Sequence, residues 1–217
     1  METIVSPKIE MYLESLRRGP GAEKGKAVSV RLEMEQLAER RGFPIIGPEV
    51  GRLLAFLTRL SGARRVLELG SGFGYSAWWF AGALPEDGRV TCTDASAENR
   101  ELALGYLGRA GLADRIRFEV GESLQILDGL AGPFDLIFND IDKEDYPKSV
   151  DKAVQRLASG GLFVTDNTLW YGKVAETSPP DAATRAVQEF NRLTVSHPEL
   201  ETVILPIRDG LSLCRRR

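Results

Sequence analysis

From Arg64 onward, apolar runs of strand length alternate with stretches of helical periodicity. The strand-like runs are RRVLELG, GRVTCTD, RIRFEVG, FDLIFND and GGLFVTDN, and helices are predicted through YSAWWFAGAL, AENRELALGYLGRAG and SVDKAVQRLA. RRVLELG, FDLIFND and GGLFVTDN are close to continuously apolar, which marks strands buried on both faces. The alternation of the runs with helices predicts a doubly wound, mostly parallel α/β sheet. After SPPD a helix is predicted over 182–193, and then two more strand-like runs, ETVILPI and LSLCRR, separated by RDG. Asp-Gly between such runs favours a tight turn of two residues or slightly more, so this seven-stranded sheet should end in an antiparallel hairpin.

Residues 1–63 differ: helical stretches over 9–17, 27–40 and 48–60 are broken by RRGPGAEKGK and RRGFPIIG, with no strand pattern and no repeat. They are expected to form a helical extension on the sheet or on a second subunit, within one domain spanning 1–217. The length of 217 residues suits one large domain. A formal net charge of -3 gives no global bias toward nucleic acid or membrane. No apolar run approaches the ~20 residues that span a bilayer. Cys92 and Cys214 lie in apolar runs, and nothing at the amino terminus reads as a signal peptide, so a reduced, cytoplasmic setting is expected. Arg17, Arg18, Lys24 and Lys26 surround a glycine-rich turn that is either a solvated loop or an RNA or phosphate contact.

Between the first strand and its helix lies LELGSGFGYS, with Gly70, Gly72 and Gly74. Glycines let a ligand approach the backbone, and open α/β sheets bind ligands beyond the carboxyl ends of their strands. The third glycine is out of phase for a dinucleotide fingerprint, and no G-K-[ST] follows, which disfavours pyrophosphate and P-loop chemistry. Glu68 before the loop suits a cationic ligand. The next strand ends in Asp94, where a carboxylate can take both ribose hydroxyls. Together these fit S-adenosylmethionine, which carries a ribose and a sulfonium but no phosphate.

Two further apolar runs end in acid: FDLIFND in Asp140, within NDIDKEDY, and GGLFVTDN in Asp166 and Asn167. On successive strands of one sheet these three side chains converge at the crevice. Two carboxylates and an amide suit a hard cation such as Mg2+, while His197, the only histidine, lies elsewhere and disfavours zinc. Apposed carboxylates repel, so a cation or Lys143 has to compensate. The alternative is that Asp140 or Asp142 caps a helix and Asp166-Asn167 makes an Asx turn. Asp142 is assigned to such a cap or to a supporting position.

From about Ile45 to its end the chain resembles the cation-dependent class I O-methyltransferases, the group containing catechol and caffeoyl-coenzyme A O-methyltransferases. The likeness rests on VLELGSGFGYS, Asp94 in CTD, the D-x-x-K from Asp140 to Lys143, DNTLWYGKV and the closing DGLSLCRR. It implies a Rossmann-like methyltransferase fold. Asp140, Asp166 and Asn167 would be ligands of Mg2+ or of another hard cation such as Mn2+ or Ca2+, and Lys143 the catalytic base. Asp94 would bind the ribose, and Glu68, Gly70, Gly72, Ser76 and Asp140 would wall the cofactor. Ser123 in VGESLQ matches an adenine-facing turn, with Glu122 near the base. Ile141 departs from the aromatic and histidine residues that catechol methyltransferases place there. Ile46, which leads into the last helix of the extension, is placed against the cofactor, where the extension would serve as lid and subunit interface. A homodimer is the family expectation.

This set implies methyl transfer from S-adenosylmethionine to one hydroxyl of a vicinal dihydroxy aromatic. The tail also resembles a bacterial branch that methylates 5-hydroxyuridine at the tRNA wobble position, which presents a similar pair of oxygens. Trp170 and Tyr171 would stack on an aromatic ring or a base, or serve as packing residues. Arg215, Arg216 and Arg217 would favour RNA if they shared a face with the site. A non-catalytic scaffold predicts a broken metal set, and the set is intact.

Overall fold

The computed structural model describes residues 6–17 and 25–217. Three helices come first: α1 (Pro7–Arg17), α2 (Lys26–Arg41) and α3 (Gly47–Leu60). Then follow β1 (Arg65–Leu69), α4 (Tyr75–Ala83), β2 (Arg89–Asp94), α5 (Ala97–Arg109), β3 (Ile116–Val120) and α6 (Ser123–Gly129). The chain continues through β4 (Phe134–Asn139), α7 (Tyr146–Arg156), β5 (Leu157–Asp166), α8 (Ala182–Ser196), β6 (Leu200–Leu205) and β7 (Leu211–Arg216).

The strands form one sheet in the order β3-β2-β1-β4-β5-β7-β6. The first five are parallel, and β7 runs antiparallel to both β5 and β6. This is the predicted mixed sheet with its terminal hairpin. Strand order reverses between β1 and β4, where ligands of such sheets bind. Register makes the crevice edge level: Leu69 pairs with Thr93 and with Asn139, and Asn139 pairs with Thr165. The next residues, Asp94, Gly70, Asp140 and Asp166, therefore stand side by side.

Both faces of the central strands β1 and β4 are covered, which is why they are almost wholly apolar, whereas the edge strand β3 alternates and exposes Arg117. Every residue of α4 from Tyr75 to Ala81 is buried, as expected of a helix with no polar face. It is held between the sheet and α3, with Phe80 stacked on Phe138 at 5.6 Å. On the other face α7 turns Tyr146, Val150, Ala153 and Val154 inward at helical spacing. The same cluster holds Leu67, Phe163 and Phe190.

Several boundaries differ from the sequence pattern. α7 begins at Tyr146 rather than at Ser149, because Pro147 suits a helix's first turn. Leu157 and Ala158 belong to β5, not to the helix. α6 is too short to show a period, and α8 extends three residues beyond 193 to Ser196, capped at its start by Asp181. The β6–β7 connection takes five residues, 206–210.

Arg18 and Lys24 lie outside the described residues, Arg17 has no described side chain, and Lys26 is exposed at the start of α2. Cys92 and Cys214 are buried free thiols. Among the described residues no helix is long and apolar enough to cross a membrane.

Candidate active site

The level strand ends open into a crevice of about 820 Å³ between the glycine loop, the loop after β4 and residues 43–46. Ile46, Gly70, Gly72, Ser76, Asp94, Ser123, Asp140, Lys143, Asp166 and Asn167 all line it. The sequence reading placed each of them here.

Glu68 is the exception. It is fully buried and sits one layer beneath the crevice. Burial is the main cause that pushes its carboxyl from 4.5 to about 7, with the charge of Asp140 adding to the rise. The hydroxyls of Ser76 and Ser71 and the Cys92 thiol act in the opposite direction. Even so, neither carboxylate oxygen has a partner in hydrogen-bonding geometry. A buried carboxylate with no partner under a glycine loop fits a cationic ligand above it.

The loop is shaped by the sheet itself. Gly70 has φ +81°, and a Cβ there would lie 2.4 Å from the Asp140 carbonyl oxygen. Only glycine lets the loop cross the end of β4 at this distance. Asp94 is anchored more firmly than expected: its Oδ2 accepts from the Gly72 amide at 2.9 Å. Its Oδ1 accepts from the Ser96 amide at 2.9 Å and from Asn99 at 3.0 Å. A carboxylate offers about four acceptor positions, and three of those on Asp94 are taken within the chain. Ser123 is tied from below by the Thr93 hydroxyl at 2.8 Å. Phe43 stacks edge-on against Phe73, so the extension closes over the loop at this point.

At the other end of the crevice, Lys143 Nζ donates to Asp140 Oδ1 at 3.0 Å and to Tyr146 Oη at 2.7 Å. The Tyr146 hydroxyl donates in turn to the Asp166 carbonyl oxygen at 3.0 Å. The ammonium also faces the rings of Tyr146 and Trp170, at 4.7 and 5.6 Å from their centroids. Tyr146 is fully buried, and burial followed by the surrounding carboxylates raises its hydroxyl well above the usual phenol range. It therefore stays a hydrogen-bonding group here. Asp166 is pushed from 3.8 to about 7, first by burial and then by the charge of Asp140. The Asn167 backbone amide, and after it the charges of Lys143 and Arg208, pull it back only in part.

Among the described residues no three His, Cys, Asp or Glu side chains form a metal group. The set that converges is two carboxylates and the Asn167 amide, and it fits a hard divalent cation on chemical grounds. The donors are oxygens, and the mutual repulsion of Asp140 and Asp166 is what a cation relieves.

Asp142 does not cap a helix through its side chain. It precedes a short 3-10 turn at 143–145, and its side chain makes no capping bond. Asp145, at the start of α7, makes none either. Trp170 and Tyr171 adopt left-handed backbone conformations, φ +44° and +55°, and line the crevice, with Tyr171 49% exposed. Sequence reasoning missed two contributors. Tyr146 ends NDIDKEDY, and Asp209 stands in RDG and opens the closing DGLSLCRR, but the sequence pattern assigns neither a role of its own. Asp209 accepts from the Tyr171 amide; burial raises its carboxyl above the usual range, and the Tyr171 amide and the Asn167 side chain pull it partly back.

The O-methyltransferase family model matches residues 31–217. The chain belongs to this family. It is 40% identical over 179 residues to caffeoyl-CoA O-methyltransferase 1 of Eucalyptus globulus, covering 76% of this chain and 72% of that one. Tricin synthase 2 of rice, Oryza sativa subsp. japonica, is 37% identical over 188 residues, covering 81% and 64%. Among solved structures, the Streptomyces achromogenes O-methyltransferase TomG in complex with S-adenosylmethionine superposes with TM-score 0.85 at 29% identity, covering 96% of each chain. A Bacillus cereus O-methyltransferase in complex with S-adenosylhomocysteine gives 0.86 at 26%, covering 97% of each. The protein is thus an S-adenosylmethionine-dependent O-methyltransferase.

Proposed function

We propose that this methyltransferase acts on one hydroxyl of a small aromatic bearing two adjacent oxygens, with the help of a divalent cation. The observation that supports this most is the convergence of Asp140, Asp166, Asn167 and Lys143 at one end of a crevice whose other end fits the cofactor. Asp140, Asp166 and Asn167 would hold the cation, which supplies charge that favours the ionised form of a neighbouring hydroxyl. The cofactor supplies the methyl group on its sulfonium.

The chain's own residues do the rest. A phenol has a pKa near 10, so a base is needed near neutrality. Lys143, held by Tyr146 and stacked against Trp170, is the group placed to take the hydroxyl proton once its own proton has left. Trp170 and Tyr171, which line the crevice beside Lys143, would position the acceptor ring, and such positioning contributes much of the rate. Residues 43–46 exclude water from the cofactor end. Ser76 and Ser123 orient the cofactor, and Asp94 receives a ribose hydroxyl. The exposed Ile9, Met11, Tyr12 and Leu16 of α1 support the expectation of a homodimer.

The tRNA reading loses one support. Arg215 pairs with Leu162, whereas Asp166 pairs with Leu211, so the basic tail leaves the sheet at the end opposite the site. There Arg215 and Arg216 pair with Glu201 and Glu199, and Arg217 donates to the Pro198 carbonyl.

The test is an acceptor panel with labelled S-adenosylmethionine. Label should enter 3,4-dihydroxy aromatics and not their 4-hydroxy counterparts. Label confined to tRNA bearing 5-hydroxyuridine would replace the small-molecule reading with the RNA one.

A further inference from the structure

The connection between β6 and β7 joins the two ends of the crevice although it lies at the sheet's far edge. On one side it grips the loop after β5. The Leu169 amide donates to the Asp209 carbonyl at 2.9 Å, and the Thr168 amide to the Gly210 carbonyl at 3.1 Å. The Asp209 carboxylate receives the Tyr171 amide, with Asn167 beside it. On the other side Arg208 reaches back across 163 residues of sequence. Its Nη1 donates to the Ile45 carbonyl at 3.3 Å. Its guanidinium occupies the place where a side chain at residue 47 would begin: a Cβ on Gly47 would lie 1.9 Å from Nη1 and 2.9 Å from Cζ. Gly47 itself has φ +72°, and Arg208 has the left-handed φ of +49°, uncommon for a non-glycine residue.

We propose that Arg208 is a positioning residue that clasps residues 43–47, the wall over the cofactor, to the loop carrying Asn167 and Tyr171. Gly47 is then glycine on two counts, its left-handed φ and the space the clasp takes, and the cofactor end is held closed by a turn that touches the acceptor end. This rests on the reading of the crevice as the cofactor site. Arg208 does not line the crevice, so it acts through the wall and not by touching the cofactor.

The test uses the full chain and the affinity for S-adenosylhomocysteine, measured calorimetrically in EDTA so that no metal contributes. Losing a charged hydrogen bond that holds a binding wall should weaken affinity roughly tenfold in Arg208→Ala. Arg208→Gln, which keeps an amide donor for Ile45, should lose less. Gly47→Ala should weaken binding in the wild-type background and cost less in the Arg208→Ala background, because the collision is gone and only the strain of its left-handed backbone remains. With saturating S-adenosylmethionine, Arg208→Ala should keep its kcat while its KM for the cofactor rises, a split that general destabilisation would not produce. Arg208→Ala binding within about twofold of wild type, or strictly additive losses in the cycle, would overturn the proposal. A wild type that binds no S-adenosylhomocysteine would overturn the cofactor reading instead.

Discussion

Replacing Glu68 with Gln should make the ligand-free protein more stable, and increasingly so as pH rises. The carboxyl is fully buried with neither oxygen hydrogen-bonded, and its pKa stands at about 7 against 4.5 ordinarily. Below pH 4.5 both folded and unfolded chains carry the proton, and Glu68 costs nothing. Between 4.5 and about 7 the unfolded chain ionises while the folded one does not, so the stability associated with the protonated form is lost progressively as pH rises toward the folded value. At about 1.4 kcal/mol per pKa unit, the interval amounts to roughly 3 kcal/mol at pH 8 and less than about 1 kcal/mol at pH 5. Gln carries no charge at any pH, so its intrinsic packing cost is the same at both. The midpoint of thermal unfolding should therefore rise in Glu68→Gln, relative to wild type, by roughly 5–10 °C more at pH 8 than at pH 5. Because Glu68 does not line the crevice, affinity for S-adenosylhomocysteine should change little, whereas the cationic S-adenosylmethionine should bind more weakly. Parallel pH dependences of the two proteins would refute an ionisable, destabilising Glu68.

Two other perturbations are also informative. Lys143→Ala should lower kcat by roughly 10²–10⁴-fold while leaving affinity for S-adenosylhomocysteine almost unchanged, and unchanged turnover would remove Lys143 as the base. Gly70→Ala should destabilise the fold by about 2 kcal/mol or more and open the loop, because its Cβ would meet the Asp140 carbonyl at 2.4 Å in a left-handed conformation; unfolding at the wild-type denaturant midpoint would contradict this.

The sheet was legible because strands buried on both faces are continuous apolar runs, and acids at their ends stand out. Asp94, Asp140 and Asp166 were found this way, and parallel register then brings them level. The same continuity hid the position of Glu68. In a strand apolar on both faces, the two-residue alternation no longer says which way a side chain points, so a carboxylate beneath the loop reads like one facing the crevice. α6 was missed because seven residues hold too little period. The extra anchors on Asp94 come from Ser96 and Asn99 around the start of the next helix, where the sequence offers only the usual capping residues. Arg208 was out of reach for a different reason: its contact with Ile45 is a product of tertiary packing, and no local pattern encodes a partner 163 residues away.

The most direct measurement is the rate of methyl transfer from S-adenosylmethionine to a 3,4-dihydroxy aromatic, first with Mg2+, then with EDTA, then with Mg2+ restored, in wild type and in Asp166→Ala. Cation-assisted transfer at Asp140, Asp166 and Asn167 predicts activity that disappears with EDTA, returns with Mg2+ in the wild type and never appears in the variant. Full activity in EDTA, or an intact Mg2+ response in Asp166→Ala, would contradict it.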